Sequence, residues 1–276
     1  MAQERPPPTR GFGRYQARYR HIIPGLNQSL GQKDIGKVKI DCCYLEDSTC
    51  GVLEQQPAWL LYLDINIHQP RGCILANATI TLTFNRDKDI IAAQIPPPTG
   101  NPRLGPQVTK YFGPKGIQDK PRDRNVNREW NLGPKVSVLG NSGELGNIKR
   151  GSDYMASSRW LIRGQWWPVF DEQLGVSLYR RVNWYMEENT FDKQTLHANS
   201  VHVGAVLRHD LDPLRVEVRI EGKLQGISGA FRFPPLDKPA IVISKFTPHS
   251  GSTCLDDVAK ALEDELTKKN QILVPG

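Results

Sequence analysis

The chain has 276 residues and a mass of 31.1 kDa, and 38% of its residues are hydrophobic and 24% charged. This composition excludes a wholly disordered chain, because it offers enough apolar surface for a core. No run approaches 18 apolar residues, which excludes a membrane-spanning helix. The first residues, MAQERPPPTRGFGRYQ, lack the apolar stretch of a secretion signal, so we expect an intracellular, cytoplasmic protein.

The net charge of +7 is distributed unevenly along the chain. Residues 1–38 contain seven basic and two acidic residues, and residues 99–135 contain eight and three, so each segment carries +5. The strand-rich remainder is close to neutral. Such basic segments on an ordinary domain attract nucleic acid, anionic lipid or an acidic protein without specifying which.

Residues 1–34 are rich in Pro, Arg and Tyr and show no sustained helical or strand period, so we predict a flexible basic arm there. A β-sandwich domain is then predicted over residues 35–246. Alternating apolar and polar residues predict its strands at 37–44, 59–68, 71–85, 89–94, 134–139, 157–167, 176–187, 200–209, 213–223 and 239–245.

Two strands show the clearest alternation. One apolar face is predicted to contain Ala78, Ile80, Leu82 and Phe84, and another to contain Leu214, Val216, Val218 and Ile220. The turn-forming residues 69–72 favour an antiparallel hairpin between strands 59–68 and 71–85.

A long basic loop is predicted over residues 95–132, which contain seven prolines, with one short strand at 107–112. Loops of this length are usually functional. The candidate binding residues in this loop are Lys110, Tyr111, Lys115, Lys120, Arg122, Arg124 and Arg128. Those in the arm are Arg10, Arg14, Arg18 and Arg20.

An amphipathic helix is predicted over residues 252–270, with Thr253 as its N-cap. Its apolar face would contain Leu255, Val258, Ala259, Leu262 and Leu266. A helix of about 15 residues is barely stable alone in water, so we expect it to dock on its own domain. Together these elements predict an all-β fold, an antiparallel two-sheet β-sandwich of about nine or ten strands with a basic N-terminal arm and a short C-terminal helix.

No recognisable catalytic motif is present: the sequence contains no P-loop, GxSxG elbow or HExxH pair. The five cysteines form no CxxC pair, and we expect neither a metal nor another cofactor. An enzyme with an unfamiliar site around His197, His202 and Asp210 stays open, because these residue types could supply acid and base groups.

Several blocks of the sequence resemble a family of uncharacterised, β-rich fungal proteins over roughly residues 70–225. The blocks are GCILANATITLTF, KYFGPKGI, PKVSVLGNSGELGNIKR, SRWLIRGQ, NWYMEENTF followed by HANSVHVGAVLRH, and VEVRIEGKL. The resemblance implies a fungal, intracellular protein and carries no activity, cofactor or catalytic residue.

The strong alternation, the long Pro/Gly-rich segment and the lack of a catalytic motif together favour a non-enzymatic β-sandwich interaction module that binds a protein or other macromolecular partner. One alternative is a basic protein that binds nucleic acid or acidic lipid through the arm and the loop at 95–132. A further alternative is a self-assembling structural subunit, since basic arms on sandwich domains also suit that role.

Overall fold

A computed structural model describes residues 20–70, 73–87, 104–118, 122–132, 148–158, 160–172, 174–188, 200–225 and 240–272. Within these ranges the chain forms fifteen β-strands and one α-helix. The strands are β1 (Arg20–His21), β2 (Gln28–Ile35), β3 (Val38–Tyr44), β4 (Thr49–Leu53), β5 (Gln56–His68), β6 (Leu75–Arg86), β7 (Gln107–Gly113), β8 (Gly116–Gln118), β9 (Arg122–Leu132), β10 (Ile148–Ser158), β11 (Leu161–Asp171), β12 (Val176–Glu187), β13 (Ser200–Arg208), β14 (Leu214–Leu224) and β15 (Ala240–Phe246). The helix, α1, is Asp256–Ile272.

The strands form two packed sheets and a separate ribbon. The larger sheet has the order β1-β15-β14-β6-β12-β11-β8, and the smaller has the order β2-β3-β5-β13-β7, with β4 also pairing with β5. β9 and β10 pair only with each other among the described strands. The short pairing of β1 with β15 is parallel, and the other described strand pairs are antiparallel. The expected all-β, two-sheet sandwich is confirmed, with more strands than the nine or ten predicted.

The main core lies between the sheets and follows the predicted period of two. Ala78, Ile80, Leu82 and Phe84 on β6 are fully buried, as are Val216, Val218 and Ile220 on β14. The two strands are neighbours in the larger sheet, with Ile80 opposite Ile220. Alternation predicted these faces because successive strand residues point to opposite sides of a sheet.

A second core lies on the outer face of the smaller sheet, beneath α1. Leu60 and Tyr62 of β5 point outward there, whereas Leu61 and Leu63 point into the main core. The WLLYL run is therefore apolar on both faces because the helix covers one of them. The expected docking of the helix on its own domain is confirmed, with Leu255, Ala259, Leu262 and Leu266 all buried.

Two details of the predicted helix are wrong. Val258 is 39% exposed and lies off the buried face. Thr253 does not cap the helix, because the helix begins at Asp256. The Thr253 carbonyl instead accepts a hydrogen bond from the Val52 amide at 2.8 Å. The Leu255 amide in turn donates to the Val52 carbonyl at 2.9 Å, so backbone pairing with β4 holds the segment that leads into α1.

The predicted hairpin between residues 59–68 and 71–85 is also wrong. β5 belongs to the smaller sheet and β6 to the larger, so the intervening residues carry the chain from one sheet to the other. Local alternation could not separate these outcomes, because a strand pattern looks the same whether its neighbour lies beside it or across the core. The amide of Leu75 donates to the Gln69 side-chain carbonyl at 2.8 Å and helps to form this crossing.

The expected arm of residues 1–34 is too long, because β1 and nearly all of β2 lie within it. β2 pairs with β3 along its length and buries Leu30. Its sequence, QSLGQKDI, is mostly polar and contains Gly31, and alternation therefore missed it. A Cβ on Gly31 would lie 3.3 Å from Val218 Cγ1, so glycine lets β2 approach the opposite sheet closely.

The expected loop over 95–132 contains three strands. The strand at 107–112 is confirmed as β7, but β8 and β9 follow it, so a single long loop is wrong. The prolines suggested a loop, yet Pro114 lies between β7 and β8, where it interrupts neither strand. The strands predicted at 89–94 and 134–139 lie outside the described residues. None of the described segments forms a helix that is both long and apolar enough to cross a bilayer.

Candidate functional site

The site begins with a bulge in β7, the last strand of the smaller sheet. Val108 pairs with Leu207 and Phe112 with Ala205, so Val206 alone lies opposite the three residues between them. The Thr109 hydroxyl donates to the Val206 carbonyl at 2.9 Å and accepts from the Tyr111 amide at 3.2 Å. The bulge leaves Lys110 exposed at the edge of the sheet, as bulges commonly redirect a side chain.

A hairpin of the larger sheet projects beside β7. β11 pairs with β8 only over 161–163, and β12 pairs with β6 only over 181–187. The hairpin beyond these regions therefore has no further strand partner among the described residues. Four large apolar side chains on it are at least 44% exposed: Trp167, Phe170, Val176 and Tyr179. A projecting ribbon with this much exposed apolar surface is typical of an interaction site.

A bulge at Arg180 anchors the hairpin to the rest of the domain. The register passes from Trp167 opposite Arg181 to Pro168 opposite Tyr179, which leaves Arg180 without a cross-strand partner. Arg180 is buried, and its guanidinium lies 2.6 Å from the Asp171 carboxylate and donates to the Leu104 carbonyl at 2.6 Å. The hairpin is thereby tied to the residues that lead into β7.

The space between β7 and the hairpin is an aromatic cleft, lined chiefly by Glu54, Lys110, Tyr111, Trp166, Tyr179 and Arg208. Its volume is about 370 Å³. The rings of Trp166 and Tyr179 stack with centroids 4.3 Å apart, and the Phe112 ring lies 6.1 Å from Trp166 on a tilt. The wall of the cleft is therefore a packed aromatic cluster, of which Tyr179 is the most exposed member.

A second cavity, the lysine cleft, lies on the other side of Lys110 and Tyr111. It is lined by these two residues and by Phe112, Lys115, Lys260 and Glu263, and its volume is about 290 Å³. The Lys115 ammonium lies 2.7 Å from the Glu263 carboxylate and 5.5 Å from the Phe112 ring centroid. Three lysines line the cleft with the Glu263 carboxylate, and the Asp257 carboxylate lies 3.8 Å from the Lys260 ammonium, so the cleft keeps an excess of one positive charge.

Glu54 lies at the mouth of the aromatic cleft in a strained turn. Glu54 and Gln55 connect β4 to β5 with φ of 49° and 63°, a left-handed conformation that residues other than glycine rarely adopt. The Glu54 carboxylate accepts hydrogen bonds from Arg208 and, at 3.5 Å, from the Tyr111 hydroxyl. Its amide donates to Asp256 at 2.9 Å. These contacts from three elements hold the turn.

The carboxylate of Glu54 neutralises Arg208, but Lys110 has no such partner. The Lys110 ammonium lies 5.2 Å from the Tyr111 ring centroid and forms no ion pair with a described residue. A cation over an aromatic ring gains about 0.5–1 kcal/mol at an exposed site. Lys110 is therefore available to an incoming negative charge at the ridge shared by both clefts.

The structure brings together three of the predicted binding residues, Lys110, Tyr111 and Lys115. Lys120, Arg10, Arg14 and Arg18 lie outside the described residues, and Arg20 lies on β1. Arg122, Arg124 and Arg128 lie on β9, at register positions opposite Ser158, Ala156 and Ser152 of β10. The predicted basic set is thus divided between the edge of the smaller sheet and the separate ribbon.

Sequence reasoning missed the residues that complete the clefts: Glu54, Trp166, Tyr179, Arg208, Lys260 and Glu263. Strand alternation favours the core or a sheet face for the tryptophans, and Trp184 and Trp160 are indeed buried. The available signal in the sequence was Pro168, because a proline within a strand pattern marks an edge strand or a bulge. The neighbouring Trp167 is 47% exposed in the structure.

The catalytic grouping of His202 with Asp210 is wrong. The His202 Nδ1 lies 2.6 Å from the Asp64 carboxylate, whereas Asp210 accepts from Arg86 at 3.0 Å. Arg208 ends β13 six positions after His202, about 20 Å along the strand, and Asp210 follows two residues later. The side chains of His202 and Asp210 therefore cannot reach one substrate atom. His197 lies outside the described residues.

The thiol of Cys43, which lies opposite Asp64 in the smaller sheet, is also unsuited to nucleophilic chemistry. Burial, followed by hydrogen bonding to Asp41, raises the pKa of Cys43 to about 12. The thiol donates to the Asp41 carboxylate at 3.0 Å and stays protonated at neutral pH. Within the described part of the chain, no group of three or more His, Cys, Asp and Glu side chains is placed to bind a metal ion.

No protein-family model matches this chain, and the comparison with curated proteins gives no match either. The similarity to fungal proteins over residues 70–225 thus stays a prediction from the sequence blocks.

Proposed function

We propose that the chain is a non-enzymatic interaction module that binds a protein partner at the ridge of Lys110 and Tyr111, between the aromatic and lysine clefts. Three features of the described residues combine at this ridge and carry the proposal: exposed aromatic surface, a lysine with no ion-pair partner, and a sheet edge. Protein interfaces concentrate binding energy in aromatic residues and in charged groups that find a partner on the other side.

A photocrosslinking experiment tests this function. A benzophenone amino acid replaces Tyr179, an exposed residue of the aromatic cleft, in the full chain, which is expressed in the cells it comes from and irradiated, so that Lys110 and its charge stay in place. The matched control carries the same amino acid at Lys37, which is exposed and directly precedes β3. We expect a discrete protein adduct from position 179 only. Equal adducts from both positions, or none from position 179, contradict the proposal.

A second candidate function is anion binding, which the three lysines of the lysine cleft support. Binding to nucleic acid or acidic lipid through these lysines and the basic N-terminal residues would weaken steeply as salt rises. Size-exclusion chromatography with light scattering, at low and high salt, separates the two functions. An elevated 260/280 nm absorbance ratio that falls with salt supports nucleic-acid binding, and a salt-independent, protein-like ratio opposes it.

A further inference from the structure

We propose that the edge of β7 binds an acidic segment of the partner in extended conformation, as a further strand of the smaller sheet. This inference rests on the proposed function and specifies the chemistry of the partner. The segment would alternate acidic side chains, directed at Lys110 and the lysine cleft, with apolar side chains that pack in the aromatic cleft.

The topology of the smaller sheet supports an extended ligand. β7 pairs with β13 on one side, and no other described strand pairs with it on the other. Because of the bulge, the seven residues of β7 lie opposite five residues of β13, a length of about 16 Å, which suits a segment of about five residues. Backbone hydrogen bonds to such an edge supply affinity, and the side-chain positions along the added strand supply selectivity.

The bulge at Lys110 makes this edge selective. A lysine and a bulge on an edge strand deter indiscriminate pairing, because a neutral strand laid over them would desolvate an unpaired charge. An acidic side chain at the matching position removes that cost. The edge of β7 therefore disfavours a neutral strand and favours a strand that brings a carboxylate to Lys110.

Charge complementarity also favours an acidic segment. Lys110, Lys115 and Lys260 line the lysine cleft, where Glu263 pairs with Lys115 and Asp257 with Lys260, so that Lys110 is the lysine of this cleft with no carboxylate partner among the described residues. In the aromatic cleft, Glu54 already neutralises Arg208. The two clefts together retain a positive excess, which steers an acidic partner and suppresses basic ones.

The aromatic cluster favours a peptide over single-stranded nucleic acid. Base stacking needs a free aromatic face, but within the aromatic cleft Trp166 covers one face of Tyr179 and itself contacts Phe112. The Tyr111 ring has the Lys110 ammonium within 5.2 Å of its centroid. A cavity of about 370 Å³ beside these rings suits apolar side chains of a peptide.

A peptide selection tests the inference. A phage library of random twelve-residue peptides is selected on the full chain, on the variant K110E/K260E and on the control K37E/K39E. The control makes the same charge change at two exposed lysines, of which Lys39 lies on β3 and Lys37 directly precedes it. We expect the wild-type chain and the control to enrich acidic peptides with alternating apolar residues. We expect the variant to enrich basic peptides, an inversion that a merely structural defect would not produce.

The most enriched peptide is then labelled with fluorescein and compared, by anisotropy, with a copy methylated at alternate backbone nitrogens and with a twelve-nucleotide oligo(dT). We expect N-methylation on the hydrogen-bonding edge to weaken binding at least tenfold, and oligo(dT) to bind at least tenfold more weakly than the peptide. The inference would be overturned if the methylated peptide bound as tightly as the unmethylated one, or if oligo(dT) bound more tightly than the peptide. It would also be overturned if the wild-type chain enriched neutral or basic peptides, or enriched none. If a protein adduct still forms from position 179, the proposed function survives that failure.

Discussion

The side-chain amide of Asn270 pairs with the backbone of His202 in the way that a neighbouring strand would. Its Oδ1 accepts from the His202 amide at 2.9 Å, and its Nδ2 donates to the His202 carbonyl at 2.8 Å. β7 pairs with β13 only from Gly204 onward, so β13 lacks a partner strand at His202 on that side among the described residues. The last turns of α1 are thereby anchored to the sheet whose edge carries the candidate site.

The substitution Asn270→Asp tests this anchor. An aspartate side chain would keep the acceptor but lose the donor to His202 and to the Leu266 carbonyl, which lies 2.8 Å from Nδ2. We expect the free energy of unfolding in urea to fall by about 1–3 kcal/mol, the cost of removing the donor to the part-buried His202 carbonyl. The control is Lys268→Ala, at an exposed position of the same turn. An equal effect of both variants would contradict the anchor.

Truncation of side chains on α1 separates its buried face from its exposed one. Leu262 is fully buried, whereas Val258 is 39% exposed. We expect Leu262→Ala to lower the free energy of unfolding by about 2–5 kcal/mol, because it removes buried methyl groups and leaves a cavity. Val258→Ala should change it by less than about 0.5 kcal/mol. Urea denaturation, monitored by circular dichroism, measures both free energies of unfolding. A large decrease for Val258→Ala would show that the face of α1 that contains Val258 is covered.

Two glycines beside the candidate site differ in what surrounds them. A Cβ at Gly164 would clash with the Pro114 carbonyl oxygen, while one at Gly116 would have no atom within 4 Å. We expect Gly164→Ala to destabilise the fold by about 1–3 kcal/mol through overpacking against backbone. Gly116→Ala should leave stability nearly unchanged. Thermal and urea unfolding of the two variants measure their stabilities. Similar stabilities of Gly164→Ala and Gly116→Ala would contradict the close contact between β11 and the β7–β8 connection.

His209 should make the stability depend on pH. Burial is the main cause that lowers the pKa of His209, and its Nδ1 accepts a hydrogen bond from the Leu211 amide at 3.2 Å. Asp210 opposes this shift and His249 adds to it. The folded state therefore prefers neutral imidazole, while the unfolded chain protonates near the usual pKa of about 6.5. The resulting stability is complete above about pH 6.5 and decreases as the pH falls below it.

The measurement for His209 is urea unfolding between pH 7.5 and 5.5, with His209→Gln as the comparison. A glutamine side chain does not titrate, so we expect the free energy of unfolding of this variant to vary less over this range than that of the wild type. The other histidines are present in both proteins and cancel from the difference. Parallel pH profiles would show that His209 does not cause the dependence.

Local sequence pattern predicted part of the candidate site. Lys110, Tyr111 and Lys115 could be identified because basic and aromatic residues cluster in a Pro-rich segment. Trp166 and Tyr179 could not, because they join Lys110 only through packing of β7 against strands of the other sheet. Arg208 and Glu54 are 154 residues apart in sequence, and no local period connects them.

The amino-acid sequence by itself determined that the chain is all-β, which faces of β6 and β14 are buried, and that a C-terminal amphipathic helix exists. These features are local, since side chains alternate with a period of two along a strand and recur every 3.6 residues along a helix. Only the tertiary structure decided that β5 and β6 lie in different sheets, that α1 covers the smaller sheet, and that β7 forms its edge between two clefts. Strand pairing is selected by packing among residues far apart in sequence, and alternation identifies a buried face without identifying what lies against it.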